Sequence, residues 1–370
     1  MDQYTPPIEL IDEDQTLWHA NRGPAGCVHC NRVYLVSAVF RGAVCPICRK
    51  GKLEAQPVIM RPTTPERVLP FQVTKQDLLP IYQQFVAGVW IKPVDFNPET
   101  LLKNTRPIFW PLRMVDSDIN GHWQMEAGFD YQVESSNEVF ADGRWQSQVQ
   151  MESRIRWELR VGALTNHIDN VVTPALEEHD NRQLMTGAYQ LEQGKDFDPH
   201  LLGGAFLELP DVSPEDGWPL ARPHFDQILA EICRKAAGAQ HFRNFSMKAN
   251  FVKQNWTEFF LPMYTTHYTD DEGNPQVLVV NGQTGVIQGP RLASPQRGSH
   301  LAWIIAAVAS GLFLLAMIGL LLTMILPWAW IFVGFFSVLG FGAVIFAILT
   351  AVWPGQWNRN QAGPRIADKK

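Results

Sequence analysis

The stretch LAWIIAAVASGLFLLAMIGLLLTMILPWAWIFVGFFSVLGFGAVIFAILTAVW, residues Leu301 to Trp353, decides the architecture of the chain. No Asp, Glu, Lys or Arg occurs between Leu301 and Asn358. A helix needs roughly 20 apolar residues to cross the hydrocarbon core of a bilayer. Pro327 has no backbone N–H with which to continue a helical ladder, so it divides the stretch into 301–326 and 328–353. Each half is long enough to span, which predicts an antiparallel hairpin of two transmembrane helices in a lipid bilayer. Trp303, Trp328, Trp330, Trp353 and Trp357 fall near the predicted ends, where indole rings favour the headgroup boundary. Gly311, Gly319, Gly334, Gly340 and Gly342 leave room for close helix approach. The alternative, a hairpin buried in a soluble core, requires more uncharged surface than soluble domains normally enclose. With no ionisable group in the spans, a proton path or ion pore built from them is disfavoured.

Working outward, Arg291, Arg297 and His300 precede the first span (juxtamembrane segment 291–300). Arg359, Arg365, Lys369 and Lys370 follow the second (tail 354–370). The hairpin tip carries no charge, so the positive-inside rule predicts a two-pass protein of the inner (cytoplasmic) membrane with both termini cytoplasmic. The first residues, MDQYTPPIELIDEDQTLW, are acidic and hold two prolines where a secretory signal needs a basic start and an apolar centre. Across 370 residues the formal net charge is −6 and no long basic tract occurs, so bulk electrostatics advertise no nucleic-acid partner.

Cys27, Cys30, Cys45 and Cys48 stand as CVHC and CPIC, two C-x-x-C knuckles within the segment 1–54. Four thiolates at this spacing suit tetrahedral Zn²⁺, and a shell completed by protein leaves no open position, so the zinc is expected to be structural. The spacer predicts a hairpin turn around Arg41 and Gly42. A disulfide framework is the alternative, against which stands the reducing state of a cytoplasmic compartment. Arg22, Arg32, Arg41, Arg49, Lys50 and Lys52 surround the knuckles and are read either as a solvated face or as contacts to phosphates or acidic lipids. His29 is a spare ligand type inside a knuckle already supplied with four cysteines. Cys233 is read as inert core.

Ala55 to Arg67 is rich in Pro and Thr and reads as a linker, followed by a body over 68–290. Thr74 and Asp77 form a capping-box pattern, and Pro80 predicts a short or kinked helix ending near Gly88. From Pro107 to Glu158 aromatic and β-branched residues alternate with polar ones, which predicts antiparallel strands with turns at Gly121, Asp142 and Gly143. Phe225, Ile228, Leu229, Ile232, Cys233 and Ala236 fit one helical face with Pro223 near its start. WTEFFLPMYTTHY and PQVLVVNGQTG read as a second hairpin about DDEGN, with Asn281 and Gly282 supplying positive φ. The fold class expected is therefore α+β: a zinc ribbon, an antiparallel-sheet domain with packed helices, and a transmembrane hairpin.

These features together resemble a bacterial family of membrane proteins with a TFIIB-type zinc ribbon, often labelled as related to the primosomal helicase. The resemblance spans nearly the whole chain. Its carriers are the two knuckles, Leu69-Pro70-Phe71, Trp90 and Pro93, Trp110-Pro111, Phe260-Leu261-Pro262, and Asn281-Gly282-Gln283-Thr284-Gly285 followed by Val286 and Gly289. The family's YxPFW strand motif is replaced here by IFWPL. The resemblance implies a role in membrane stress or as a scaffold, since relatives are encoded beside phage-shock A-type and flotillin-like SPFH proteins, which become the implied partners.

No helicase motor accompanies the ribbon. The nearest phosphate-loop pattern, GAYQLEQGKD at Gly187 to Asp196, has six residues between its glycines instead of four and Asp where Mg²⁺ chemistry needs Ser or Thr. No GxSxG, HExxH or GxGxxG is present, and His122, His167, His179, His200, His224, His241 and His267 lack ligand spacing. Glu177 to Asp180 is an acidic cluster of the composition of a solvated loop, and NGQTG is read as a tight turn ahead of an anion cradle. The expectation is a non-enzymatic membrane-anchored scaffold or assembly factor whose oligomeric state the sequence leaves open. A membrane-tethered nucleic-acid binder and an accessory subunit of a larger membrane complex are the alternatives.

Overall fold

The computed structural model describes residues 22–56, 65–141 and 143–361. The segment before Arg22, most of the 55–67 linker, Asp142 and the basic tail at Arg365, Lys369 and Lys370 lie outside the described residues. The architecture is α+β, with an antiparallel-rich sheet, helices packed on it and a C-terminal pair of apolar helices.

Among the described residues, eleven strands and six α-helices follow in chain order. They are β1 (Arg22–Cys27), β2 (Val33–Ser37), β3 (Leu53–Ala55), β4 (Arg67–Val68), α1 (Lys75–Ala87), α2 (Pro98–Asn104), β5 (Arg106–Ala141), β6 (Arg144–Thr173), α3 (His179–Thr186), β7 (Lys195–Asp196), β8 (Phe206–Glu208), α4 (Pro214–Ala237), β9 (His241–Thr269), β10 (Pro275–Asn281), β11 (Ile287–Gln288), α5 (Pro295–Leu322) and α6 (Trp330–Arg359). The chain forms two compact units: residues 1–111, 178–209 and 260–370, and residues 112–177 and 210–259.

In the first unit the strand order is β11-β10-β9-β5-β8-β2-β1-β3, with β4 beside β7 and β9. The β9–β10 hairpin closes with Thr269 opposite Pro275, as the alternation about DDEGN predicts. Positive φ falls on Gly273 and Gly285, however, and not on Asn281 or Gly282. Gly282 is needed for another reason: a Cβ there would lie 2.7 Å from the Phe71 ring. Helix α1 runs through Pro80, capped by the Thr74 and Asp77 box. Its apolar residues Leu78, Tyr82 and Val86 pack with Phe96, Leu101, Tyr268 and Val280, so burial outweighs the one ladder bond that proline cannot donate.

In the second unit β5 lies between β6 and β9. The β5–β6 hairpin is longer than the pattern predicts: β6 continues past Glu158 to Thr173, with a register shift between Val115 and Ser117. Gly121 is inside β5, not at a turn; a Cβ there would lie 2.1 Å from the Lys248 carbonyl oxygen, where β9 passes close by. Helix α4 begins nine residues before Pro223, at Pro214, because Ser213 caps the Asp216 N–H and Pro214 takes the first helical position, where its missing donor costs nothing. Phe225, Leu229 and Cys233 are fully buried against Val115, Ile119 and Met125, at about 1.5–3 kcal/mol for each large apolar side chain. Cys233 is core, as its spacing suggested.

Helices α5 and α6 pair as a hairpin, and both are long and apolar enough to cross a membrane. The helical segments extend beyond the apolar spans, starting at Pro295 and ending at Arg359. The reversal is wider than one proline: α5 ends at Leu322, and a turn and a 3-10 helix, Pro327–Ala329, follow. Of the five glycines expected at the seam, Gly319 faces Val333 and Gly340 faces the Phe313 ring, while Gly311, Gly334 and Gly342 face open space. A sixth, Gly298, meets the Thr350 carbonyl. Ile331, Phe341 and Leu321 are among many apolar side chains left exposed on the outer faces.

Candidate metal centre

The four predicted cysteines come together. The first knuckle is the turn between β1 and β2, where Cys27 N–H bonds the Arg32 carbonyl at 2.9 Å and Asn31 takes a φ of 56°. Arg41 and Gly42 form the turn expected in the spacer, with Ala43 N–H bonding the Phe40 carbonyl at 3.1 Å and Gly42 at a φ of 81°, but the runs on either side of it do not pair: β2 pairs instead with β1, across the first knuckle. At the second knuckle, Cys45 N–H bonds the Gly51 carbonyl at 2.8 Å and Arg49 has a φ of 59°. A Cβ on Gly51 would lie 2.6 Å from the Cys27 sulfur, so the knuckle admits no side chain at that point.

All four cysteines are buried and form no disulfide, and their Sγ atoms lie within 4.8 Å of one another. The Cys27–Cys48 and Cys30–Cys45 separations are 3.5 and 3.8 Å. A tetrahedron of about 2.3 Å metal–sulfur bonds has edges of about 3.8 Å, so the cage matches a zinc-sized ion. The arrangement can hold a metal, and the donor set is the one zinc favours. Hydrogen bonding with Cys30 and Cys48, helped by burial, holds the Cys45 thiol protonated well above its usual range. A dication would displace that proton and relieve the crowding. His29 is exposed and offers no ring nitrogen to the cluster.

Several of the six basic residues around the knuckles are bonded within the protein. Arg22 donates to the Gly203 and Ala205 carbonyls, at 2.5 and 2.8 Å. Arg49 approaches His267 at 3.3 Å. Arg32, 5% exposed, bonds Glu178 and lies 3.5 Å from Glu208. Burial would lower the Arg32 guanidinium pKa, but Glu208, Tyr34 and Glu178 outweigh it and hold it above the ordinary value. Glu208 in turn receives two bonds from Arg182, at 2.8 and 3.2 Å, and Arg182 is 1% exposed.

This buried network fastens the ribbon to the sheet, since β2 pairs with β8 at Tyr34–Glu208 and the Tyr34 hydroxyl lies 3.7 Å from the Cys45 sulfur. Sequence reasoning missed it. The signal was a carboxylate inside the apolar run AFLELP, where an unpaired charge is prohibitive.

The remaining expected features resolve as structure. In NGQTG the Asn281 side chain accepts from Gln283 and Thr284 N–H at 2.8 and 3.0 Å and donates to the Thr186 and Ala188 carbonyls at 2.9 and 3.3 Å. The reading as a turn holds. Gly187 ends α3 with a φ of 73°, and the following GAYQLEQGKD residues form a 3-10 turn and a short strand. Within the Glu177–Asp180 cluster, Glu178 is taken up by Arg32 and His179 packs against Trp110.

Compared with known proteins, the chain matches no family model, no curated protein and no solved structure.

Proposed function

We propose that the protein is a non-enzymatic membrane-anchored scaffold or assembly factor. On this reading α5 and α6 fix it in the inner membrane with both termini cytoplasmic, the Cys27, Cys30, Cys45 and Cys48 cage holds structural Zn²⁺, and the sheet presents surfaces to protein partners. The observation that carries the proposal is the way the base of the hairpin is bonded to the body of its unit. The Asn358 side chain donates to the Ala293 carbonyl at 3.0 Å and accepts the Ala293 N–H at 2.7 Å. Trp357 donates to the Arg291 carbonyl at 2.6 Å. The Trp90 ring lies 5.6 Å from Trp353 and 5.7 Å from Phe346. Two helices on a loose tether would serve only as an anchor; helices bonded at their base to the segment 291–293 and packed on Trp90 would hold their unit in a fixed attitude to the bilayer, as a platform requires.

The resemblance to zinc-ribbon membrane proteins supports phage-shock A-type or SPFH proteins as partners. Affinity-tagged full-length protein extracted in mild detergent is expected to bring down such membrane-remodelling proteins. Recovery of the chain alone, under conditions that preserve known complexes, would remove the scaffold reading. Recovery in fixed stoichiometry with a catalytic complex would favour the accessory-subunit alternative.

A further inference from the structure

Strand β6 is an edge. Among the described residues it pairs with β5 alone, at 28 positions between Arg144 and Thr173. One row of its backbone N–H and C=O groups is therefore without a strand partner, the condition that natural sheets blunt with proline, bulges or charged side chains. The part of β6 between Val149 and Val161 has neither proline nor bulge, and its charged residues carry both signs, so they can complement a second copy of the same edge. The bulge lies further on, near Ile168, and no proline occurs in the strand.

The two faces of this segment differ. Pairing places Arg160 beside Met125 and Glu158 beside Ala127, on the face that α4 covers. The opposite face carries Val149, Met151, Ile155, Leu159 and Val161, exposed by 70, 53, 40, 70 and 69%. An apolar stripe thus runs along an open edge.

The charges on the first face read Glu152, Arg154, Arg156, Glu158, Arg160. Two such edges can meet antiparallel about a two-fold axis, and one register forms more opposite-charge pairs than any other. Centred on Arg156, it sets Arg154 against the second copy's Glu158 and Glu152 against the second copy's Arg160. By symmetry these become four opposite-charge pairs with one Arg156–Arg156 contact at the axis, where each guanidinium already has Glu158 of its own chain at 3.0 Å. The same register joins Met151 to Val161 and Ile155 to Trp157 on the apolar face. Centring on Ile155 would oppose Glu152 to Glu158 and Arg154 to Arg156. Centring on Trp157 would oppose Arg154 to Arg160.

We propose that β6 is a self-association edge, on which a second copy of this chain pairs antiparallel about Arg156 to continue the sheet. The interface is isologous, each copy giving and receiving the same contacts. It closes the open backbone row and covers the apolar stripe. The scaffold reading is not required for it.

The test uses the full-length protein in detergent micelles. Light scattering is expected to give two chains per particle at micromolar concentration. In the variant Arg156→Cys the two introduced thiols sit opposite each other, with Cα atoms about 4.5–5.5 Å apart, inside disulfide reach. Mild oxidation should link them. Ser153→Cys is the control, because its counterpart lies about 20 Å along the strand and should not link. Glu158→Arg turns two attractive pairs into repulsive ones and should weaken association roughly tenfold. Arg154→Glu with Glu158→Arg should restore it. A wild-type particle of one chain overturns the proposal. So does a dimer in which Arg156→Cys and Ser153→Cys link equally, or one that Glu158→Arg leaves unchanged.

Discussion

Replacing Arg182 by Met tests the account of how the ribbon is fastened to the sheet. Arg182 is 1% exposed and donates two bonds to Glu208, which is 2% exposed. Met fills a similar volume, so the change removes charge and hydrogen bonds with little cavity. The carboxylate of Glu208 would then keep only Arg32, at 3.5 Å and already bonded to Glu178. Leaving one member of a buried pair without its partner costs about 3–5 kcal/mol, mostly the desolvation penalty of the charge left behind. Arg182→Met is therefore expected to destabilise the first unit by that amount. Glu208→Gln should cost a similar amount, by leaving the buried Arg182 guanidinium without its carboxylate, while Arg32 keeps Glu178. The double variant should cost less than the sum by at least about 2 kcal/mol, since each change removes the reason for the other's penalty. Urea unfolding in detergent supplies the energies. Hydrogen exchange at Leu209 N–H, which bonds the Val33 carbonyl at 2.9 Å, reports whether the loss is felt where β8 meets β2. A single-variant loss under about 1 kcal/mol, or strict additivity, would refute the network's role.

The cage should bind one Zn²⁺ per chain by elemental analysis, and Cys45→Ser should abolish this and loosen β1–β3 as seen by hydrogen exchange. Metal affinity should fall with pH, because thiols must lose protons to bind. Burial and the nearby Arg49 hold His267 at a pKa of about 4, below its unfolded value near 6.5. The unfolded chain then binds the extra proton first, so stability is complete above pH 6.5 and falls as pH drops toward 4. After allowance for the ring's partial exposure the loss is about 1–3 kcal/mol, and it should be smaller in His267→Asn measured in the same buffers. In the hairpin, Gly340→Leu should cost about 1–3 kcal/mol by driving a side chain into Phe313, while Gly342→Leu, with open space before it, should be neutral in thermal unfolding followed by circular dichroism.

The most legible parts of the chain were those where one residue type repeats at a spacing physics restricts. An uncharged run of two bilayer widths and a pair of C-x-x-C knuckles each have few solutions, and both appear where the sequence put them. The strands were legible in kind but not in length. Past Glu158, β6 runs on as LRVGALTNHIDNVVT, where Gly162 and a polar TNHIDN stretch break the alternation although Leu164, Ile168 and Val171 are buried in the core. Helix α4 was misplaced at its start because Pro223 looked like a first-turn proline, whereas Ser213 and Pro214 hold the stronger cap. Gly121, Gly282 and Gly298 were opaque for a shared reason. Their absent side chains make room for a neighbouring segment distant in sequence, and no local pattern names that neighbour. The ion network was hidden likewise, its four members coming from residues 32, 178, 182 and 208.

The path of the chain sets an order of events during synthesis. The cysteine knuckles leave the ribosome before β8, the strand that receives β2, which follows only after the whole of β5 and β6. At ~5–20 residues per second that interval is roughly 10–30 s. Throughout it the thiols belong to a nascent ribbon with no sheet to lean on, and Arg32 still awaits Glu178 and Glu208. Metal captured then would complete the ribbon ahead of its dock, so that β8 meets a finished edge.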